Sequence, residues 1–91
     1  MRSAVAIVMG CLILVAVSAP VRAQAGICGD LWVERNSIYK ANGFCFKTAR
    51  AISYFGNQGC MYSYESQVPL SRGERIRIEQ IRSLERQYGC R

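Results

Sequence analysis

The chain divides by pattern into two parts. From Ala4 to Val17 the residues are almost wholly apolar and carry no charge, and Pro20 ends any helix there. Beyond Ala25 the apolar residues recur at helical spacing with polar residues between them. Leu31, Arg35, Ile38 and Asn42 fall on one stripe, and Trp32, Asn36 and Tyr39 on the adjacent one. This predicts a helix over 31–41. Asp30 would serve as its N-cap, and Asn42-Gly43 as its stop, because both residues tolerate left-handed geometry.

Phe44-Cys45-Phe46 then reads as an apolar corner. Thr48 is placed to cap a short second helix over 49–55, with Ala49, Ile52 and Phe55 inward. Gly56-Asn57-Gln58-Gly59 breaks it. Residues 57–70 read as a loop, with a short strand near Met61–Tyr64 that lacks an evident partner. Ser71 and Glu74 have the spacing of a capping box, with Leu70 before them. Ile78, Ile81, Leu84 and Tyr88 continue a third helix until Gly89. The expected fold class is therefore all-α, a small three-helix domain.

The leading segment reads as a signal peptide over residues 1–25. Arg2 gives the positive start, Ala4–Val17 the apolar stretch, and the small residues Ala23 and Ala25 two cleavage positions, Ala25 the favoured one. As an uncleaved anchor the run is short for a span of about 20 residues. Val8-Met9-Gly10-Cys11 resembles a lipidation box, but the apolar run continues beyond Cys11, where a lipoprotein signal turns polar. Removing 25 of the 91 residues leaves a single domain, residues 26–91. A core of that size rarely contributes more than about 3–5 kcal/mol unaided.

Help comes from cysteine. Four of the five cysteines, Cys28, Cys45, Cys60 and Cys90, lie beyond the leader. In an exported chain they pair as two disulfides. Of the three connectivities, Cys28–Cys45 would bridge the ends of the first helix, roughly 17 Å apart by the helical rise, against a limit of about 7 Å between bridged Cα atoms. An up-down-up arrangement predicts Cys28–Cys60 and Cys45–Cys90. The alternative, Cys28–Cys90 with Cys45–Cys60, requires residues 46–59 to double back. A zinc site is disfavoured, because close Cys pairs and histidine are both missing.

Charge and chemistry narrow the function further. The chain carries twelve Lys and Arg against six acids. Without Arg2 and Arg22 the domain keeps ten cations and a net charge of +4. This favours solubility and weak attraction to anionic surfaces, and no specific nucleic-acid partner is expected. A membrane association is expected only through the uncleaved precursor. No histidine occurs, which removes the commonest general base and the Ser-His and Cys-His nucleophile pairs. Asp30 and Glu74 are accounted for as caps. Glu34 and Glu65 remain as carboxylates that could work as a pair. Neither an enzyme nor a cofactor or resident metal is expected.

The richest polar–aromatic cluster is Trp32, Arg35, Asn36 and Tyr39. It can be read as a binding surface. It can equally be structural, with Asn36 satisfying backbone groups and Arg35 pairing with a carboxylate. Arg72, Arg75, Arg77, Arg82 and Arg86 scatter around the last helix as a solvated face.

The stretch from Leu31 to Phe44 resembles the core of the YARHG domain, a short bacterial domain of extracellular type named for a Tyr-Ala-Arg-His-Gly motif. The matching positions here are Tyr39, Lys40, Ala41, Asn42 and Gly43; Tyr39 and Gly43 agree, and Asn42 stands where the motif has histidine. The resemblance extends through Phe46, Tyr54-Phe55, Leu70-Ser71, Ile81 and Glu85, covering about residues 30–86. It implies an envelope-associated accessory domain without assigned catalysis, in which the motif acts as a folding signature. The function expected on these grounds is a periplasmic or secreted domain that binds an envelope component or a protein partner. The alternative is a small cationic effector or inhibitor acting on membranes or on a foreign enzyme.

Overall fold

The computed structural model describes residues 21–91, with side chains from Gly26 onward. Three helices, α1 (Val21–Ala41), α2 (Ala49–Phe55) and α3 (Arg72–Gln87), are joined by a corner and by a loop holding a 3₁₀ turn, Glu65–Gln67. The fold is a small all-α domain with two disulfides, as the sequence predicts.

The first helix ends where Asn42-Gly43 predicts but starts ten residues earlier than Leu31. Asp30 is therefore not an N-cap; it lies exposed within α1. The extension has a consequence for packing. Cys28, Arg35 and Asn42 are spaced by seven residues, about two turns, and so share one face. Each is joined to the last part of the chain. Cys28 bonds to Cys90, Arg35 pairs with Glu85, and the Asn42 amide donates to Glu74. The partners descend from 90 to 74 as α1 ascends, so α1 and α3 are antiparallel.

This corrects the predicted disulfide pattern. The bonds are Cys28–Cys90, with Cα atoms 5.5 Å apart, and Cys45–Cys60, at 5.1 Å; Cys28–Cys60 and Cys45–Cys90 do not form. The up-down-up premise fails because α2 has only seven residues and is not a full leg of a bundle. The chain doubles back around it. Asn57 accepts from the Phe46 amide at 2.7 Å and donates to the Phe46 carbonyl at 2.9 Å, and the Cys45 amide donates to the Tyr62 carbonyl at 2.8 Å. These bonds hold the flanks of α2 together and place Cys45 beside Cys60. The strand considered near Met61–Tyr64 reduces to one parallel bridge between Phe44 and Tyr62.

The ends of the shorter elements follow their local signals. The Thr48 hydroxyl accepts from the Ala51 amide at 3.1 Å. Ser71 and Glu74 form the capping box, at 2.9 and 3.0 Å. Gly56 and Gly89 close α2 and α3 at positive φ. On α2, however, Ala51 is the buried residue, while Ala49 and Ile52 face outward. A methyl at position 51 lets α2 approach closely, and Phe55, one turn on, packs on the same side against Phe46.

Tyr39, Val68 and Ile78 form the core, with Ile38, Phe44, Tyr62 and Leu70 packed around them. Ile81 is fully buried. Val68, within the segment read as loop, contributes because the 3₁₀ turn folds it inward. The core is small, so the cross-links matter. On the chain-entropy view, Cys28–Cys90, with a separation of 62, contributes about 4 kcal/mol and Cys45–Cys60, with a separation of 15, about 3 kcal/mol.

The expected leader falls on residues 1–20, which lie outside the described residues, and on 21–25, which belong to α1.

Peptide mapping under non-reducing conditions should link Cys28 to Cys90 and Cys45 to Cys60. Replacing both members of a pair by serine should lower the unfolding free energy by about 2–5 kcal/mol, more for Cys28/Cys90 than for Cys45/Cys60. Urea denaturation of the two double variants measures this order.

Candidate functional site

Three of the four residues of the predicted cluster, Trp32, Arg35 and Asn36, line a cleft of about 390 Å³. Trp32 and Asn36 enter it from α1, Phe44, Phe46 and Lys47 from the corner, Ala51 from α2, and Ser63, Tyr64 and Glu65 from the loop. Both sides depend on the Cys45–Cys60 region, which ties the corner to the loop.

The floor rings, Trp32, Phe44 and Phe46, belong to a continuous contact series that extends beyond the cleft. Tyr54 meets Trp32 edge-on at 5.8 Å between centroids, Trp32 meets Phe55 at 5.7 Å, and Phe55 stacks on Phe46 at 5.0 Å. Phe46 meets Phe44 at 5.3 Å, and Phe44 meets Tyr39 at 5.6 Å. The series runs from the exposed Tyr54 to the buried Tyr39. Two cations lie on it. The Arg50 guanidinium sits 3.8 Å over the Trp32 ring. The Lys47 ammonium lies 4.6 Å from the Tyr64 centroid and 5.9 Å from that of Phe44, and donates to the Ser63 carbonyl. Lys47 thereby spans the mouth from corner to loop. Such contacts contribute about 0.5–1 kcal/mol each at exposed positions.

The other charged groups are engaged elsewhere. Arg35 forms a forked pair with Glu85, Nε to Oε1 at 3.0 Å and Nη2 to Oε2 at 3.0 Å, with side chains only 16% and 14% exposed. Glu65 is held by Arg82 at 3.2 Å. Glu34 takes two bonds from Arg77, at 2.6 and 2.8 Å. The Arg77 guanidinium holds the Glu34 carboxyl below its ordinary range. Glu34 and Glu65 are thus each paired with an arginine. Among the described residues no group of Cys, Asp and Glu is arranged to hold a metal.

The four-residue cluster expected from sequence is only partly a surface. Trp32, Arg35 and Asn36 line the cleft, while Tyr39 is buried in the core. The Asn36 amide donates to the Trp32 carbonyl at 2.9 Å, one turn back in α1. Arg35 and Asn36 therefore take the structural roles considered for them. Lys47, Arg50, Tyr54 and Tyr64, which carry the accessible chemistry, were missed. Their signal was present: two cations and Tyr54 between the cysteines that bring the segments together, and Tyr64 just beyond the second.

Residues 39–44 form a Schellman cap. The Phe44 amide donates back to the Tyr39 carbonyl at 3.1 Å and the Gly43 amide to the Lys40 carbonyl at 3.2 Å. The Tyr39–Phe44 ring contact is the apolar partner that this motif commonly has. Gly43 adopts φ of 90°, and a Cβ there would lie 3.3 Å from Met61 Cε and from the Tyr62 ring. Its carbonyl accepts from the Met61 amide at 2.7 Å and the Tyr62 amide at 3.0 Å. Lys40 reaches the Gly56 carbonyl at 3.2 Å. Asn42 donates to Ile38 O at 2.8 Å and to Glu74 Oε2 at 3.1 Å.

The model of the YARHG domain matches residues 11–86. The chain belongs to the YARHG domain family. No curated protein and no solved structure matched the chain. The match begins earlier than residue 30, within the segment read as leader. YARHG is an extracellular-type domain, and two disulfides fit export. Among the described residues no helix is long and apolar enough to cross a membrane. In this YARHG domain the motif positions Tyr39 and Gly43 are the two ends of the cap, one supplying the buried ring and the other the left-handed turn. Ala41 completes the last helical turn.

Gly43→Ala should cost about 1–2 kcal/mol for left-handed backbone alone, with a further loss from the Met61 and Tyr62 contacts. Gly59→Ala has the same sign of φ but open space around it. Urea unfolding should therefore rank Gly43→Ala as the more destabilising.

Acid stability tests the helix junction. Bonds from the Ser71 backbone and the Asn42 amide hold the Glu74 pKa below its ordinary value of 4.5. A depressed carboxylate contributes stability that is complete above its unfolded pKa and is lost as pH falls through the folded one. The melting temperature of Glu74→Gln should be lower than wild type at neutral pH and should approach it below pH 4.5. A constant offset across that range would contradict the linkage.

Proposed function

We propose that this YARHG domain is a non-enzymatic binding domain, periplasmic or extracellular, that holds an envelope component or a protein partner in the cleft between the corner and the 63–65 loop. The observation that carries this reading is the junction of an aromatic floor with two cations whose contacts are rings and a carbonyl. Trp, Tyr and Arg are the side chains that most often dominate binding energy at interfaces. The cleft volume of about 390 Å³ lies within the range of small-ligand sites, about 300–1,000 Å³. The pairing of Glu34 with Arg77 and Glu65 with Arg82 supports a non-enzymatic role, since a carboxylate engaged with arginine is poorly placed to accept a proton.

The test is retention from a solubilised envelope fraction on the immobilised, disulfide-bonded chain. Wild type should retain a component that the double variant Lys47→Glu, Arg50→Glu loses, at a temperature where thermal melts show both proteins folded, the variant melting somewhat lower for want of its cation–ring contacts. Equal retention by both proteins would show that the cleft is not the binding surface.

A further inference from the structure

We infer that the occupant of the cleft is a peptide segment of a partner protein in which an acidic residue neighbours an aromatic one. The inference rests on the binding role proposed above and specifies its ligand. Charge complementarity selects the acid. Of the charged groups lining the cleft, Arg35 is neutralised by Glu85 and Glu65 by Arg82. Lys47 supplies the uncompensated charge of the lining, and Arg50, over the ring of the lining residue Trp32, adds a second cation next to it. The Lys47 ammonium donates to one backbone carbonyl, Ser63 O. A carboxylate displacing that carbonyl would replace a neutral acceptor by a charged one, and charge-assisted hydrogen bonds are roughly twice as strong.

Ring geometry selects the aromatic neighbour. Tyr64 is 64% exposed, and it faces Lys47 across the mouth above Phe44 and Phe46. An aromatic side chain entering between them extends the series of ring contacts already present from Trp32 to Tyr39. Met61 and Tyr54, 70% and 61% exposed, flank the same corner and α2. Exposed Met and Tyr are enriched at protein interfaces, and Met adapts its shape to a partner.

The arrangement argues against polyanions. A polysaccharide, nucleic acid or lipid surface is held by an array of cations that neutralises many charges. Here Lys47 and Arg50 lie against rings, and Arg77 and Arg82, which would extend an array, are paired with Glu34 and Glu65. One carboxylate and one ring match what the cleft offers.

Selection of a displayed random dodecapeptide library on the full chain in its disulfide-bonded form tests this directly. Enriched peptides should share an Asp or Glu within about two positions of Phe, Tyr or Trp. Their affinity should fall about tenfold or more in Lys47→Glu and in Tyr64→Ala, and be regained in part by Lys47→Arg. Melting temperatures of the variants separate lost binding from lost folding. No enrichment, enrichment without acid, or affinity indifferent to Lys47 would overturn the assignment. So would saturable binding of polygalacturonate or phosphatidylglycerol vesicles that displaces the selected peptides. Retention from the envelope fraction that depends on Lys47 and Arg50, combined with a failed peptide selection, would overturn the ligand and leave the binding role standing.

Discussion

The row formed by Cys28, Arg35 and Asn42 along one face of α1 is what the rest of the structure depends on. It carries three different kinds of link to the last part of the chain: a covalent bond at one end, a forked ion pair in the middle, and an amide–carboxylate hydrogen bond at the other. Few apolar side chains are fully buried. A helix pair with so little apolar surface between its members would be marginal by hydrophobic burial alone. The disulfide removes conformational freedom from the unfolded chain, while the polar links set the register of α3 against α1. Because the three anchors are spaced by two helical turns, no sliding of α3 satisfies one without breaking the others.

The family motif works at the far end of that row. It turns the chain sharply after α1 and sends Phe44 under the helix it has just left. Gly43 then accepts from two successive amides of the 61–62 segment, so the same turn docks the loop. Asn42 joins this cap to the capping box of α3 through Glu74. Two helix termini, each with groups lacking partners within its own helix, thus satisfy one another. An asparagine amide carries no titrating proton, whereas a histidine there would titrate. Replacing the motif histidine by Asn42 makes this junction independent of imidazole protonation.

Local chemistry was legible in the sequence and long-range chemistry was not. Thr48, Ser71 with Glu74, Asn42-Gly43 and Gly89 each act within one turn of chain, and each marks an observed element end. The start of α1 was misread because Gly29-Asp30 has the composition of a helix start, yet the helix runs on upstream of it to Val21. The cysteine pairing was misread because it depends on whether α2 is long enough to separate its flanks. That is decided by Asn57 reaching the backbone of Phe46, a contact across eleven residues. Likewise, Trp32 and Arg35 were recognisable as polar–aromatic chemistry, but only the closed Cys45–Cys60 loop brings Lys47 and Tyr64 opposite them.

The distribution of charge connects stability to binding. The fold uses most of its acids internally: Glu34, Glu65 and Glu85 pair with arginines, and Glu74 closes a cap. Because basic residues outnumber acids, cations are left over. Two of these are not scattered in solvent but rest on Trp32, Phe44 and Tyr64, three rings that line a single cleft. A cation on a ring is held in place at modest energy and stays available to an anion. The excess charge that serves solubility over most of the surface is therefore ordered at one place, where the least extended of the cross-linked loops keeps its two sides together.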